Sequence, residues 1–205
     1  MITTVLFDLD GVVRHFDPNN VREIEQRHGI PLGSIERFAF AAPLIDEVTT
    51  GRISRTEWTD RLAAHLHDAD AAEEWSLQPY RMDTAILDLA DRLRSAGLTT
   101  AILTNGTDTI AAEARMMRLH DHFDAVFNSA EIGFAKPDAR AFHAILDALA
   151  VKSSEVFFTD DSAAKLAGAE ALGISSHLFT DVEGLRETLH AHGIPASGEE
   201  ISHRA

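Results

Sequence analysis

The chain has 205 residues and a formal net charge of −15, with 33 acidic against 18 basic residues, so we expect neither nucleic acid nor an anionic membrane as a partner. It contains no cysteine, which excludes disulfides, thiolate metal sites and cysteine nucleophiles and fits a cytoplasmic protein. Aspartates interrupt its short apolar start, which argues against a signal peptide, and no stretch approaches the roughly 18 apolar residues of a membrane span.

The first predicted element is a buried strand at residues 5–7 that runs directly into Asp8 and Asp10. In open α/β sheets, ligands bind just outside the carboxyl ends of the strands. Two carboxylates at that place repel each other unless a cation lies between them, and Mg²⁺ prefers oxygen ligands. One carboxylate can act as a nucleophile while the other moves protons, which suits phosphoryl transfer. The alternative interpretation is an acidic turn after a strand.

Residues 18–80 show helical periodicity and no convincing strand. Predicted helices cover residues 19–28, 34–41, 54–67 and 70–77. A helical block between the first strand and the remaining strands indicates an inserted cap.

Strands and helices alternate from residue 84 onward, which predicts a parallel sheet with right-handed crossovers. Predicted strands are 98–103, 125–127, 156–159 and 175–179, and predicted helices are 83–95, 108–119, 137–150, 163–172 and 181–191. The predicted fold class is α/β, with a Rossmann-like, doubly wound parallel sheet as the core and an inserted helical cap. The core comprises residues 1–17 and 81–205, of which 192–205 are expected to form a loose tail, and the cap comprises residues 18–80.

Further polar residues lie at or near the ends of the later strands. Thr104 and Asn105 can bind phosphate oxygens, although Asn-Gly is also a common turn dipeptide. Lys136 can neutralise a phosphate or a carboxylate, or it can be a solvated surface lysine. Asp160 and Asp161 can complete a metal site begun by the first strand, or one of them can merely cap the next helix.

Taken together, these segments resemble the haloacid dehalogenase superfamily, in particular members with a small helical cap. The four matching motifs are Phe7-Asp8-Leu9-Asp10-Gly11-Val12, Leu103-Thr104-Asn105-Gly106, Ala135-Lys136-Pro137-Asp138 and Phe158-Thr159-Asp160-Asp161-Ser162. They occur in the family's order, and the resemblance covers residues 3 to about 190.

The resemblance implies that Asp8 attacks phosphorus and forms an aspartyl-phosphate. Asp10 would protonate the leaving oxygen and then activate the hydrolytic water. The implied cofactor is Mg²⁺, bound by Asp8, the backbone carbonyl of Asp10 and Asp161, with Asp160 as a further ligand or as a residue that orients the others. The implied partner is a small phosphorylated metabolite, for example a sugar phosphate.

The remaining implied roles concern the phosphoryl group. Thr104 and the backbone of Asn105 would hold its oxygens, and Lys136 would offset the negative charge of the phosphate and of the nucleophile. The chain departs from the family pattern at Lys165, where a neutral or acidic residue is usual. One explanation is that Lys165 points along its helix into solvent.

In capped relatives, a turn between two cap helices faces the active site. Thr50 and Arg52 occupy that turn here, and Arg14 and His15 follow the first motif, so these four residues are candidates for recognising the leaving group. An ordinary exposed turn is the alternative.

Several functions compete. The favoured one is a Mg²⁺-dependent phosphatase. A phosphomutase of the same fold would need nearly identical motifs, and a 2-haloacid dehalogenase would need a nucleophilic aspartate but neither Mg²⁺ nor an acid at Asp10. A non-enzymatic binding module is disfavoured because every charged role is filled.

Overall fold

The computed structural model describes residues 1–196. Its strands, in chain order, are β1 (Thr4–Phe7), β2 (Arg14–Phe16), β3 (Tyr80–Met82), β4 (Thr99–Thr104), β5 (Ala125–Asn128), β6 (Val156–Asp160) and β7 (Ser175–Leu178). Five of them form one parallel sheet in the order β5-β4-β1-β6-β7, while β2 and β3 pair separately in antiparallel fashion. The parallel sheet confirms the predicted α/β, Rossmann-like core.

The helices of the described chain alternate with these strands after residue 83. They are α1 (Asn20–Arg27), α2 (Ser34–Ala39), α3 (Leu44–Thr49), α4 (Arg55–Leu66), α5 (Ala69–Ser76), α6 (Thr84–Ser95), α7 (Ile110–Met116), α8 (Ser129–Ile132), α9 (Ala139–Leu149), α10 (Ala163–Ala171) and α11 (Val182–Ala191). Short 3-10 helices cover Leu119–Asp121 and Ser153–Glu155. None of these helices has the length and apolar character needed to cross a membrane.

The sheet is covered on both faces because successive side chains of a strand point to opposite sides. Val5 and Phe7 of β1 pack in one hydrophobic cluster with α6, α7 and α11, whereas Leu6 packs in a second cluster with α9 and α10. Burial on both faces explains why residues 5–7 of β1 are a continuous apolar run. This arrangement is the predicted doubly wound core.

Helices α1 to α5 build a third hydrophobic cluster of their own, centred on residues such as Leu62 and Trp75. This separate cluster supports the predicted cap of residues 18–80, whose boundaries stay a prediction. One helix of this block, α3, was not predicted. The two chain crossings into the cap also pair with each other, as β2 with β3, although no strand was expected there.

Two further expectations are corrected. Pro137 does not lie in the first turn of a helix, because Asp138 is the N-cap of α9 and its carboxylate accepts the backbone N–H of Arg140 at 2.9 Å. The beginning of the expected loose tail is packed, since Ile194 and Ala196 are buried in the cluster of α6, α7 and α11. The rest of that tail, residues 197–205, lies outside the described residues.

Candidate active site

Three adjacent strands bring the predicted site residues to one edge of the sheet. Strands β4, β1 and β6 are neighbours, and all three run in the same direction. Thr104 and Asp160 are the last residues of β4 and β6, and Asp8 follows the last residue of β1. The backbone N–H of Asp8 still donates to the carbonyl of Thr159 at 2.9 Å, so the sheet itself fixes the position of Asp8. Thr104, Asp8 and Asp160 are all buried.

Lys136 provides a fixed positive charge between the strand ends. Its ammonium donates to Asp8 Oδ1 at 2.8 Å, to Asp160 Oδ2 at 2.7 Å and to the carbonyl of Leu103 at 2.7 Å. An ammonium has three N–H donors, so every donor is used. The side chain is completely buried, which excludes the alternative of a solvated surface lysine.

Asn105 anchors the loop that carries Lys136. Its side-chain carbonyl accepts the backbone N–H of Lys136 at 2.8 Å, and its amide donates to the backbone carbonyl of Lys136 at 2.8 Å. The sequence predicted a role for the backbone of Asn105 in phosphate binding but missed this side-chain contact. Gly168 of α10 lies against the same loop, because a Cβ on Gly168 would be 1.9 Å from the carbonyl oxygen of Pro137.

The two buried carboxylates respond differently to their surroundings. Burial acts to raise the pKa of Asp8, but the charges of Lys136 and Lys165 outweigh it, so the pKa of Asp8 lies below its ordinary value. Burial dominates at Asp160 and raises its pKa, and the neighbouring charge of Asp8 adds to this, against the effect of Lys136. Asp8 therefore keeps the charge that a nucleophilic carboxylate needs.

Lys165 lies inside the site, so the explanation that places it in solvent is wrong. Its ammonium donates to Asp8 Oδ2 at 3.1 Å and lies 3.7 Å from Asp160 Oδ1 and 4.0 Å from Asp161 Oδ1. Burial acts to lower the pKa of Lys165, but the charges of Asp8 and Asp160 raise it above its ordinary value. Lys165, the residue that departs from the family pattern, thus places a second positive charge beside Asp8 and Asp160, the two acids that Lys136 contacts.

The carboxylates could hold a metal ion. Asp8, Asp160 and Asp161 each offer an oxygen atom, and these atoms lie within 4.8 Å of one another. Asp161 is the exposed member of the three, and it approaches the first motif closely at Gly11. A Cβ on Gly11 would lie 2.1 Å from Asp161 Oδ2, and its φ of +93° is strained for other residues. The oxygen donors fit Mg²⁺, and the ammonium of Lys165 lies beside the same carboxylates.

Arg14 connects Asp10 to the helical block. Its guanidinium donates to Asp10 Oδ1 at 2.5 Å and Oδ2 at 3.0 Å, and to Glu113 Oε2 at 2.6 Å. The other oxygen of Glu113 accepts from Arg55 of α4 at 2.5 Å and from Thr109 at 2.6 Å. Asp10 therefore directs its carboxylate to Arg14 rather than to the acid cluster. Sequence analysis missed Glu113 and Arg55, because chain separations of 99 and 58 residues leave no local pattern.

The remaining specificity candidates lie on the two segments that border this network. The ring of His15 is 3.2 Å from Asp83 Oδ2, the carboxylate that caps α6. Thr50 accepts a hydrogen bond from Arg52 Nε at 3.0 Å, and Arg52 is exposed. The intervening Gly51 lies against α8 of the core, since a Cβ on it would be 2.2 Å from the carbonyl oxygen of Ala130. The cap turn is thus in contact with the core.

Comparison with known proteins gives a consistent assignment at the family level. A family model described as a haloacid dehalogenase-like hydrolase matches residues 2–173. A protein of Mycobacterium tuberculosis (strain CDC 1551 / Oshkosh) named as a phosphatase is 32% identical over 188 residues, which cover 86% of this chain and 87% of the relative. An (S)-2-haloacid dehalogenase of Pseudomonas sp. (strain CBS-3) is 34% identical over 127 residues, covering 62% of this chain and 51% of the relative.

Solved structures agree with the fold. The crystal structure of a HAD family enzyme from Bacteroides thetaiotaomicron, in complex with magnesium and inorganic phosphate, has a TM-score of 0.71 and 26% sequence identity. The match covers 99% of this chain and 98% of that chain. The chain also matches bifunctional epoxide hydrolases of three mammals. These matches cover between 39% and 42% of the length of the epoxide hydrolases.

Proposed function

This chain belongs to the haloacid dehalogenase-like hydrolase family, and we propose that it is a Mg²⁺-dependent phosphatase that hydrolyses a small phosphorylated metabolite. The observation that carries the proposal is the setting of Asp8. This carboxylate is buried at a strand end, and Lys136 and Lys165 hold its pKa below the ordinary value. Asp10, two residues later, has a 40% exposed carboxylate beside the site. Arg14 contacts both oxygens of Asp10 and orients this carboxylate. A charged nucleophile with a second, partly exposed carboxylate beside it suits two-step phosphate hydrolysis.

The proposed reaction has two balanced steps. A carboxylate oxygen of Asp8 forms a bond to phosphorus while the bond from phosphorus to the leaving oxygen breaks, and Asp10 donates a proton to that oxygen. A water molecule then attacks phosphorus, Asp10 accepts the proton of the water, and the bond to Asp8 breaks. The products are the alcohol and inorganic phosphate, and both aspartates return to their starting state.

The remaining residues supply binding and charge. Thr104 and the backbone of Asn105 would hold phosphoryl oxygens. Lys136 would offset the negative charge of Asp8 and of the phosphoryl group. Asp8, Asp160, Asp161 and the backbone carbonyl of Asp10 would hold Mg²⁺. When bound, the ion supplies positive charge that reduces the repulsion between the phosphoryl group and the carboxylates.

A 2-haloacid dehalogenase is the second candidate, and one observation favours it. The ammonium of Lys165 lies 3.1 Å from Asp8, so the chain itself places a cation beside the nucleophile, and dehalogenation needs no metal. In that reaction Asp8 would displace halide from carbon, and water would hydrolyse the resulting ester. Asp10 and Asp161 would have no evident role, which is why we favour the phosphatase.

One assay with two readouts separates these functions. Phosphate release from a panel of phosphorylated metabolites and from an aryl phosphate is measured with Mg²⁺ and with a chelator, and halide release is measured from 2-haloacids. We expect phosphate release that needs Mg²⁺ and disappears in the Asp8→Asn variant. Full activity in chelator would overturn the metal assignment, and halide release without phosphate release would establish the dehalogenase instead.

A further inference from the structure

The ammonium of Lys165 lies within 4.0 Å of the three carboxylates that could hold a divalent cation. We propose that its ammonium is an intramolecular competitor of Mg²⁺: in the metal-free protein it pairs with the carboxylates of Asp8, Asp160 and Asp161, and the ion binds only when the Lys165 side chain moves away. The inference deepens the proposed function, and it is tested below by binding rather than by turnover.

The geometry supports competition for one place. The three carboxylates offer oxygens within 4.8 Å of one another, so a single ion that binds them must lie among them. The ammonium of Lys165 is already 3.1 Å from Asp8 Oδ2 and no more than 4.0 Å from the other two acids. Because Mg²⁺ lies about 2.1 Å from its oxygen ligands, an ion on Asp8 Oδ2 would be within about 5 Å of the ammonium. Two positive charges at that distance repel each other strongly in a partly buried site.

Lys165 can move, whereas Lys136 cannot. Lys136 is completely buried, and its three N–H donors are all used. The side chain of Lys165 is 29% exposed, and its ammonium makes one hydrogen bond, to Asp8, within the described residues. It can therefore exchange that hydrogen bond for water while its backbone stays in α10. Of the two lysines at the site, only Lys165 has the freedom to exchange with an ion.

Competition has two consequences that oppose each other. Without an ion, three carboxylates would face the single ammonium of Lys136, and Lys165 relieves this repulsion, so it stabilises the metal-free protein. The same contact must be broken before Mg²⁺ binds, so it weakens metal affinity. Half-occupancy of the site then requires a higher concentration of free Mg²⁺ than in a protein with a neutral residue at this position.

The test compares Lys165→Met with Lys152→Met. Methionine keeps much of the length of lysine without the charge. Lys152 is an exposed lysine remote from the acid cluster in the fold, so its substitution removes the same formal charge elsewhere. Mg²⁺ binding to the metal-free proteins is measured by isothermal titration calorimetry at neutral pH, and the melting temperature is measured with and without Mg²⁺.

We expect Lys165→Met to bind Mg²⁺ roughly tenfold more tightly than the wild type, and Lys152→Met to match the wild type within about twofold. We also expect metal-free Lys165→Met to melt at a lower temperature than the metal-free wild type, and Mg²⁺ to raise the melting temperature of the variant by more than that of the wild type. If Lys165→Met does not fold, Lys165→Gln keeps a polar side chain and replaces it in both measurements.

Equal affinities in the wild type and the Lys165 variant would overturn the proposal, and so would weaker binding in the variant, which would mean that Lys165 helps to hold the site. If neither protein binds Mg²⁺, there is no site to compete for and the proposal fails. None of these readouts requires turnover, so a chain that binds Mg²⁺ as expected but releases no phosphate would disprove the phosphatase alone.

Discussion

Arg14 and Asp10 form a two-point ion pair, with Nε–Oδ1 at 2.5 Å and Nη2–Oδ2 at 3.0 Å, although they are only four residues apart. Both oxygens of Asp10, the proposed acid/base, thus accept hydrogen bonds from one guanidinium, and the Arg14 side chain that carries it is buried. The Asp10 side chain is therefore oriented by Arg14, and Arg14 in turn is held by Glu113. This favours a positioning role for Arg14 over direct recognition of the leaving group.

The first prediction concerns Arg14→Lys. Lysine keeps the charge but cannot donate in the two-point geometry, so Asp10 should lose its fixed orientation. We expect kcat to fall by roughly 10- to 100-fold on an aryl phosphate and on the best metabolite alike, with KM for the aryl phosphate little changed. Arg94→Lys is the control, because Arg94 pairs with Asp124 on the surface, through one contact of 3.0 Å between Nε and Oδ1.

A loss confined to KM for the metabolite would contradict this prediction. It would restore Arg14 to the substrate-recognition role suggested by its place after the first motif.

The second prediction concerns the stability contributed by Glu113. Burial acts to raise the pKa of Glu113, but hydrogen bonds from Thr109 and Arg14 and the charges of Arg14 and Arg55 lower it below 4.5. A carboxylate with a lowered pKa in the folded state stabilises the protein above its unfolded-state pKa, and this stabilisation disappears as pH falls through the folded-state pKa. Glu113→Gln should therefore lower the free energy of unfolding by about 1–3 kcal/mol at pH 7.

Urea unfolding from pH 7 down to the lowest pH at which both proteins unfold cooperatively measures this difference. It should stay constant above about pH 4.5 and shrink below that value. Glu183→Gln provides the control, since Glu183 also pairs with an arginine but its side chain is 71% exposed, and we expect a change below about 0.5 kcal/mol. A difference that is independent of pH would mean that Glu113 acts through packing rather than charge.

The third prediction uses the close approach of Asp161 to Gly11. In Gly11→Ala the new methyl group would overlap the Asp161 carboxylate, so Asp161 must move and Mg²⁺ affinity should fall by about tenfold or more. Gly97→Ala is a matched control, because Gly97 has a similar φ of +86° but open space around it. Both variants should lose stability from backbone strain, of the order of 1–2 kcal/mol. Calorimetric Mg²⁺ titration distinguishes them, and equal affinities would remove Asp161 from the metal site.

Much of the sheet and of the site was predictable because the relevant patterns are local. Residues 5–7 form a continuous apolar strand that is followed at once by Asp8, and the same pattern places Asp160 after 156–159. Parallel strands that end in polar residues bring those residues together whatever the details of packing.

The parts that were missed depend on contacts between distant segments. Lys165 reaches Asp8 across 157 residues, and Glu113 reaches Arg14 across 99. Both residues lie on helices where a charged side chain ordinarily indicates a solvated surface. The pairing of β2 with β3 was missed for a related reason. A strand of three residues is too short to show an alternating pattern, and these two strands are recognisable only by the hydrogen bonds between them.

The last prediction assigns substrate preference to Arg52. This side chain is exposed on the cap turn, and Gly51 beside it packs against Ala130 of the core. The guanidinium donates from Nε to Thr50 Oγ1 at 3.0 Å, and its other N–H groups can bind an anionic or hydroxylated group. Arg52→Ala should raise KM for the best metabolite of the panel by roughly tenfold. It should change kcat/KM for a small aryl phosphate by less than about twofold, because the aryl phosphate has no group for Arg52 to bind. Arg61→Ala is the control, because Arg61 is another exposed arginine of the cap, and it should alter neither KM for the metabolite nor kcat/KM for the aryl phosphate. Equal losses on both substrates would assign Arg52 to catalysis or stability, and no change on either would move substrate recognition to another part of the cap.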